Sequence, residues 1–397
     1  MRIVAALAVA AAMASCAQAR SGGSPDRSVK RTARTSSANP VLFNTESYDY
    51  AASAVTAAAA HRYRVIVLQA TDGNKVAQLK AANPGAKILL YQLVSNSRST
   101  DPQGATTCTP YAGDSTRHPG WFLTDQRGAR IEDTTYAGSL PMDVGSSAYE
   151  HACVASAVAR AKRYGFDGLY FDGFAAWIGW SLPPGVRSPR YPTMRSWQAA
   201  MRRMISLAAA TAHRYGLSAI GNIGGSTATR GLWRAWSGPL DGAEEESWTD
   251  GGAGVIQQLH DWAVKLANVA WSEAHGKTVL LHSYNTTEAG NAYGLASMLL
   301  VAAGHSSYST ANASYSSPAT FFPEYRTAEQ LGGPLGAYRR LRNGAFMRAF
   351  TNGVVLVNPH RFSLQRFSLG GVFSGSRLSG VRSVSMGPAS GLILLRR

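Results

Sequence analysis

Acidic residues are scarce in this chain. Its 397 residues carry 23 Asp and Glu against 39 Lys and Arg, a formal charge of +16 at neutral pH. No acid follows Glu329, whereas ten arginines lie between Arg339 and Arg397. Such a charge reads first as solubility and only second as attraction to an anionic polymer or surface. It comes without the basic helical stripe or aromatic ladder that nucleic-acid binding requires, so no nucleic acid is expected as a partner. Other absences narrow the chemistry. No histidine pair has zinc spacing, no Ser sits in Gly-x-Ser-x-Gly, and no Gly-x-Gly-x-x-Gly follows the first predicted strand. Metal, serine-nucleophile and dinucleotide chemistry therefore find no support, and neither a cofactor nor a metal is expected. Past the N-terminus, nothing approaches the ~18 to 20 unbroken apolar residues that a membrane helix needs.

Cysteine is nearly missing as well: Cys16, Cys108 and Cys153 are all there are. Met1-Arg2, an Ala/Val/Leu run and the small residues up to Ala19 read as a signal peptide, residues 1–19, so the protein is expected to be exported: extracellular, periplasmic or attached to the cell envelope. Cys16 follows two small residues and is a candidate lipid-carrying cysteine, the one membrane attachment expected, although Met13 stands where such signals usually have Leu. Residues 20–40 are rich in Ser, Arg, Gly and Pro and read as a flexible linker. Without these forty residues the charge is still +11. Cys108 and Cys153 then remain as an even pair in an oxidising compartment, and no His or Cys lies at ligand spacing beside either; a Cys108–Cys153 disulfide is expected.

What is present is an alternation. Val41–Glu46, Arg64–Gln69 and Ala86–Leu93 read as strands separated by helices over 51–61 and 74–82. A long segment, Val94 to Ala148, interrupts them. A helix over 147–164 then leads to a fourth strand ending at Asp172, followed by a loop from Trp177 to Pro192 and a helix over 196–215. Strands five, six and seven are read at 217–222, 241–248 and 277–284, helices at 254–268 and 290–303, and an eighth strand at 304–309. Eight strands alternating with helices predict an α/β fold, a (β/α)8 TIM barrel, over residues 41–337. From Tyr338 short strands split by Asn-Gly, Gly-Gly and Pro-His turns predict a small C-terminal antiparallel β domain, 338–397, packed on the barrel. The chain is expected to be a monomer.

The stretch Tyr164-Gly-Phe-Asp-Gly-Leu-Tyr-Phe-Asp172-Gly-Phe174 organises the rest. Its apolar run ends on a carboxylate, and the C-terminal end of a barrel strand is where barrel enzymes keep their chemistry. The alternative is a turn or helix cap. Tyr170, Phe171, Phe174 and Trp177 surround Asp172 with aromatic faces of the kind that sugar rings stack on, which favours catalysis. The pattern recurs in Leu240-Asp-Gly-Ala-Glu-Glu-Glu-Ser-Trp248, where Glu246 lies five residues after Asp241 as Asp172 lies five after Asp167. Strand alternation groups Glu244 with Glu246 and leaves all three glutamates as candidates; the shared offset selects Glu246. Three buried carboxylates in a row would cost too much desolvation, so at least one is paired or exposed. Asp167 and Asp241, each before Gly at a strand's start, read as structural, and Asp143 as a cap. Tyr91, Asn222, Trp177, Trp248, His282, Tyr284 and His305 stand near predicted strand ends or in the loops beyond them and are the candidate substrate-binding residues.

Tyr164-Gly-Phe-Asp-Gly-Leu-Tyr-Phe-Asp172 resembles the fourth-strand signature of glycoside-hydrolase-like barrel proteins akin to the endo-α-1,4-polygalactosaminidase family. Asp241-Gly-Ala-Glu-Glu-Glu246-Ser-Trp resembles their sixth-strand acid, and Phe350-Thr-Asn-Gly-Val-Val-Leu-Val-Asn-Pro359 the opening of the β domain that follows. The resemblance implies a metal-free barrel that hydrolyses polysaccharide glycosidic bonds with two carboxylates. Their roles follow from environment, since the more buried acid stays protonated; Asp172 among aromatics fits either role, and the reading taken is Asp172 as nucleophile or base and Glu246 as acid on a polysaccharide or oligosaccharide. A non-catalytic carbohydrate-binding protein on a degenerate barrel is the other class, and the geometry of the two acids separates them: carboxyl groups within ~5 to 10 Å favour the enzyme. The segment from Val94 to Ala148, with Tyr111, Trp121 and Phe122, is expected to wall the cleft, since so long a loop in a compact domain is usually functional.

Overall fold

Each predicted run of strand-forming residues pairs with the next in parallel. A computed structural model describes residues 44–46 and 57–397 apart from 134, 179–181, 224–229, 253–254, 286 and 311–320; the leader, the linker, Cys16 and the start of the 51–61 helix lie outside the described residues. The strands are β1 (Asn44–Glu46), β2 (Val65–Leu68), β3 (Lys87–Leu93), β4 (Gly168–Asp172), β5 (Ser218–Asn222), β6 (Gly242–Glu245), β7 (Thr278–Ser283) and β8 (Ser306–Thr310). They are hydrogen-bonded in that order, all parallel, and β1 lies against β8, which makes a (β/α)8 barrel. Around it run α1 (Ala57–Ala60), α2 (Val76–Ala82), α3 (Ser147–Tyr164), α4 (Met194–Arg214), α5 (Arg230–Ser237), α6 (Leu259–Ala274), α7 (Glu288–Leu299) and α8 (Pro323–Glu329).

The repeated Asp-Gly has a physical reason. Asp167 accepts a hydrogen bond from the Ile88 amide at 2.9 Å and Asp241 one from the Ala219 amide at 2.8 Å, so each ties its strand's start to the preceding strand. The following glycine lets the next strand approach: a Cβ on Gly168 would stand 2.5 Å from the Ser218 carbonyl oxygen, and one on Gly242 2.3 Å from that of Thr278. Both aspartates are therefore structural, at the end of the barrel remote from Asp172. Above them Val65, Val67, Leu89, Tyr91, Leu93, Tyr170, Ile220 and Leu280 form one buried cluster inside the barrel, each worth roughly 1.5 to 3 kcal/mol by burial for the larger side chains. Strand alternation sends the intervening residues into the larger core between sheet and helices.

Three elements depart from expectation. The helix expected over 254–268 is α6, which starts at Leu259, because an antiparallel bridge between Asp250 and Ile256 spends those residues on a turn. Between β5 and β6, where none was expected, α5 buries Trp233 and Trp236 on one face. Strand β8 begins at Ser306, so His305 lies at its start, where its amide donates to the Glu273 carboxylate.

The 94–148 segment is folded rather than loose. Asn96–Arg98 pairs antiparallel with Ser139–Pro141, and a short helix spans Tyr111–Arg117. A Cys108–Cys153 disulfide fastens the segment to α3, and Arg160 of α3 donates to the carbonyls of Thr107 (2.8 Å) and Cys108 (3.2 Å). For a sequence separation of 45 residues, cross-linking the unfolded chain stabilises by about 4 kcal/mol in the chain-entropy model. Reduction should lower the melting temperature and raise amide exchange first in residues 94–148; a melting curve unchanged by reductant would contradict this.

The C-terminal strands β9 (Arg339–Arg340), β10 (Phe346–Phe350), β11 (Gly353–Asn358), β12 (Leu364–Ser374), β13 (Val381–Met386) and β14 (Ser390–Arg396) form one antiparallel sheet in the order β9-β10-β11-β14-β12-β13. The sheet sits on α7. Gly391 packs so closely that a Cβ would come within 2.4 Å of the Ala292 carbonyl oxygen. Arg348 donates to the carbonyls of Leu299 (2.9 Å) and Ala302 (2.7 Å), satisfying acceptors that the helix end leaves open.

Candidate active site

Asp172 is the last residue of β4 and faces the barrel mouth, two residues above Tyr170. Three donors hold its carboxylate: Tyr91 Oη at 2.6 Å from Oδ2, and the Gly173 amide (2.7 Å) and Asn222 Nδ2 (3.1 Å) at Oδ1. Tyr91 is in turn stacked on Tyr170, with ring centroids 5.9 Å apart, which fixes its hydroxyl. Gly173, at φ +80°, turns the chain away where a Cβ would meet Ser95 Oγ at 2.3 Å. Burial pushes the Asp172 carboxyl above the usual carboxylate range, while the bonds from Tyr91 and Gly173, the Arg98 charge and the Asn222 bond pull the other way.

Strand β6 separates the three glutamates. Glu244 is buried on the strand; Glu245 turns outward to Lys265 of α6, its Oε1 at 2.7 Å from Nζ. Glu246 lies one residue beyond the strand end. Its carboxylate accepts from Asn222 Nδ2 at 2.7 Å and from the Tyr284 hydroxyl. One amide nitrogen thus donates to both candidate acids. Legs of 3.1 and 2.7 Å cap the distance between Asp172 Oδ1 and Glu246 Oε2 at their sum, 5.8 Å.

The other expected residues divide. Tyr91, Asn222 and Tyr284 touch the acids. His282 is buried in the barrel wall, its Nδ1 3.2 Å from Ser309 Oγ and its ring 4.9 Å from that of Tyr284. Trp177 is 43% exposed in the loop after β4. Trp248 does not line the site: it is fully buried against α7, where Nε1 donates to the Gly294 carbonyl at 3.0 Å. Nor does His305, which the start of β8 places at the opposite end. Asp143 is more than a cap: it binds Arg190 Nε at 2.9 Å and the Tyr191 hydroxyl, joining the two long loops.

Tyr111, Trp121 and Phe122, expected to wall the cleft, pack on neighbouring rings. Tyr111 meets Phe122 edge-on, and Trp121 lies against Tyr149 of α3. The same segment supplies two groups that sequence reading missed. Arg98, at the end of the ribbon, acts on the Asp172 carboxyl through its charge. Tyr136 is 54% exposed; desolvation first, then the charges of Glu246 and Asp172, push its phenol up. No local pattern marks either residue. Among the described residues no group of three or more His, Cys, Asp or Glu side chains gathers as a metal site would. A cavity of about 870 Å³ with Arg62, Arg64, Arg326 and Phe321 in its lining opens at the starts of β2 and β3, far from the acids along the barrel axis.

Two acids, on β4 and just past β6, are thus joined by one amide on β5. A model described as hypothetical glycosyl hydrolase family 15 matches residues 80–354. The chain belongs to that family. Hypothetical glycosyl hydrolase family 15 thus spans both acids, Asn222, Tyr91 and Tyr284. Among solved structures, the maltogenic α-amylase AmyB from Thermotoga neapolitana shares the fold, with a TM-score of 0.52, 10% identity, and 90% of this chain and 98% of that chain covered. Also similar are the glycoside hydrolase domain of PelA from Pseudomonas aeruginosa (TM-score 0.45, 16% identity, 70% and 97% covered) and Aspergillus fumigatus Ega3 in complex with galactosamine (0.47, 12%, 74% and 99%). Comparison with curated proteins found no match.

Proposed function

We propose that this family member is an exported enzyme that hydrolyses glycosidic bonds of a cell-envelope or extracellular polysaccharide, with Asp172 as nucleophile and Glu246 as acid and base. The observation that carries the reading is the shared Asn222 donor. An oxygen-to-oxygen separation of at most 5.8 Å brings the two acids within the reach of one glycosidic bond, and with Asn222 Nδ2 standing between them, where an inverting enzyme keeps its water, we take the closer, retaining arrangement of about 5 to 5.5 Å over the ~6.5 to 9.5 Å of inverting enzymes. Asp172, fixed by three donors, attacks the anomeric carbon; Glu246 protonates the departing oxygen, leaving a glycosyl ester on Asp172. Glu246 then takes a proton from water, which attacks the same carbon and releases Asp172. The charge of the Asp172 nucleophile is relieved by Asn222 and by the nearby Arg98. Tyr136 and Trp177, both well exposed, supply flat faces for sugar rings.

Glu246 turns towards Asp172, not away from it, which favours an enzyme over a carbohydrate-binding protein on a degenerate barrel. Export rests on the N-terminal leader pattern, with Cys16 as the residue a lipid would occupy. We read the protein as a monomer. The test is a panel of bacterial and plant polysaccharides assayed for new reducing ends, wild type against Asp172→Asn. Release by the wild type alone supports the proposal; saccharide binding without release by either would favour the binding protein.

A further inference from the structure

The turn that carries Glu246 is held from behind by a group outside the barrel. Lys265, on α6, places Nζ 2.7 Å from Glu245 Oε1 and 2.5 Å from the Ser247 carbonyl oxygen. Its side chain is 9% exposed and that of Glu245 2%. The contacts fall on the residues immediately before and after the acid. Between them the chain does something unusual: Ser247 has φ +63°, a left-handed conformation that residues with a Cβ seldom adopt unless their surroundings enforce it. The chain beyond is fastened separately, by the Trp248 amide on the His282 carbonyl at 2.6 Å and the Thr249 amide on Ser283 Oγ at 3.2 Å.

We propose that Lys265 is a positioning residue for Glu246. An ammonium has three donors and no acceptor, so it can hold a side-chain carboxylate and a backbone carbonyl at once. Here it draws Glu245 and the Ser247 carbonyl towards α6. The residue between them is thereby turned the other way, into the barrel mouth, where Asn222 and Tyr284 receive it. A turn loose by an ångström would break the reach to Tyr284 and Asn222, and misplacement on that scale costs about 10²-fold in rate. A merely structural role, neutralising the buried Glu245, is the competing account. It predicts that Lys265 becomes dispensable once Glu245 carries no charge.

The inference rests on the reading of Glu246 as the catalytic acid, but its test has a readout that does not. Lys265→Met alone would remove the ammonium that neutralises the buried Glu245 and risks unfolding. The informative pair is Glu245→Gln, whose amide oxygen can still accept from Lys265 and which keeps the Lys265 bond to Ser247, and the double variant Glu245→Gln with Lys265→Met, which removes both charges. Positioning predicts that Glu245→Gln stays near wild type. The double variant should then lose about 10²-fold in kcat with KM changed less than about twofold on the polysaccharide that the panel identifies. Its crystal structure should show Ser247 out of the left-handed region or Glu246 detached from Tyr284. A double variant with wild-type kcat, or with Glu246 and Ser247 unmoved, would overturn the proposal. If the wild type cleaves nothing, the hydrolase reading fails, and the crystal structures still decide whether Lys265 aims Glu246.

Discussion

Asp172→Asn should abolish hydrolysis, with a loss on the order of 10⁴-fold or more, because the amide cannot form the glycosyl ester. The site should stay built. The amide oxygen keeps the Gly173 and Asn222 bonds, and the Tyr91 hydroxyl can turn to accept from the new NH2 where it now donates to Oδ2. Stability should not suffer either. Burial holds the folded-state pKa of Asp172 above its ordinary value, so the folded protein binds this proton more tightly than the unfolded chain does. The ionised group therefore detracts from stability increasingly as pH rises from the unfolded pKa to the folded one, and removing the charge relieves that cost at neutral pH. The variant should melt no lower than wild type at pH 7. The same shift places the acid limb of the wild-type pH profile above the usual aspartate range, with activity falling as pH drops through it. Substantial hydrolysis by Asp172→Asn would remove the nucleophile from the account.

Glu246→Gln should show a loss that depends on the leaving group. Without an acid, a sugar alkoxide must depart unprotonated, and the rate on polysaccharide should fall by about 10² to 10⁴-fold, the usual worth of a general acid. Aryl glycosides with acidic phenols need no proton to leave, so their first step should be nearly spared and glycosyl ester should accumulate as a burst. Equal losses on both substrate types would mean that Glu246 acts by holding Asn222 and not by proton transfer. The Asn222 bond makes that distinction necessary, since one nitrogen serves both carboxylates.

Asp172 was legible because its signals are local: an aspartate and glycine at the strand's start, an apolar run, then an acid where the run stops. Glu246 was legible only through the matching offset. Alternation alone misreads the end of β6, where Glu246 has already left the strand and Ser247 takes a left-handed turn. Asn222 showed as a strand end, but its bridging role belongs to the order of β4, β5 and β6 in space. Arg98, Tyr136 and Lys265 were invisible because each reaches the site, or its support, from an element distant in the chain. Trp248 and His305 failed for opposite reasons. A tryptophan after a strand can face the outer helix layer as readily as the mouth, and His305 stands at the start of its strand, the end of the barrel remote from the acids, whether that strand begins at residue 304 or at Ser306. The helix α5 was missed because its eight residues are too few for a period to stand out.

The anomeric configuration of the first product is the most direct measurement. Proton NMR of the polysaccharide digest, recorded before mutarotation, should show the anomer of the substrate linkage, as the retaining arrangement proposed for Asp172 and Glu246 requires. The opposite anomer would mean a water between the acids, and would contradict the assignment of Asp172 and Glu246 as a retaining pair.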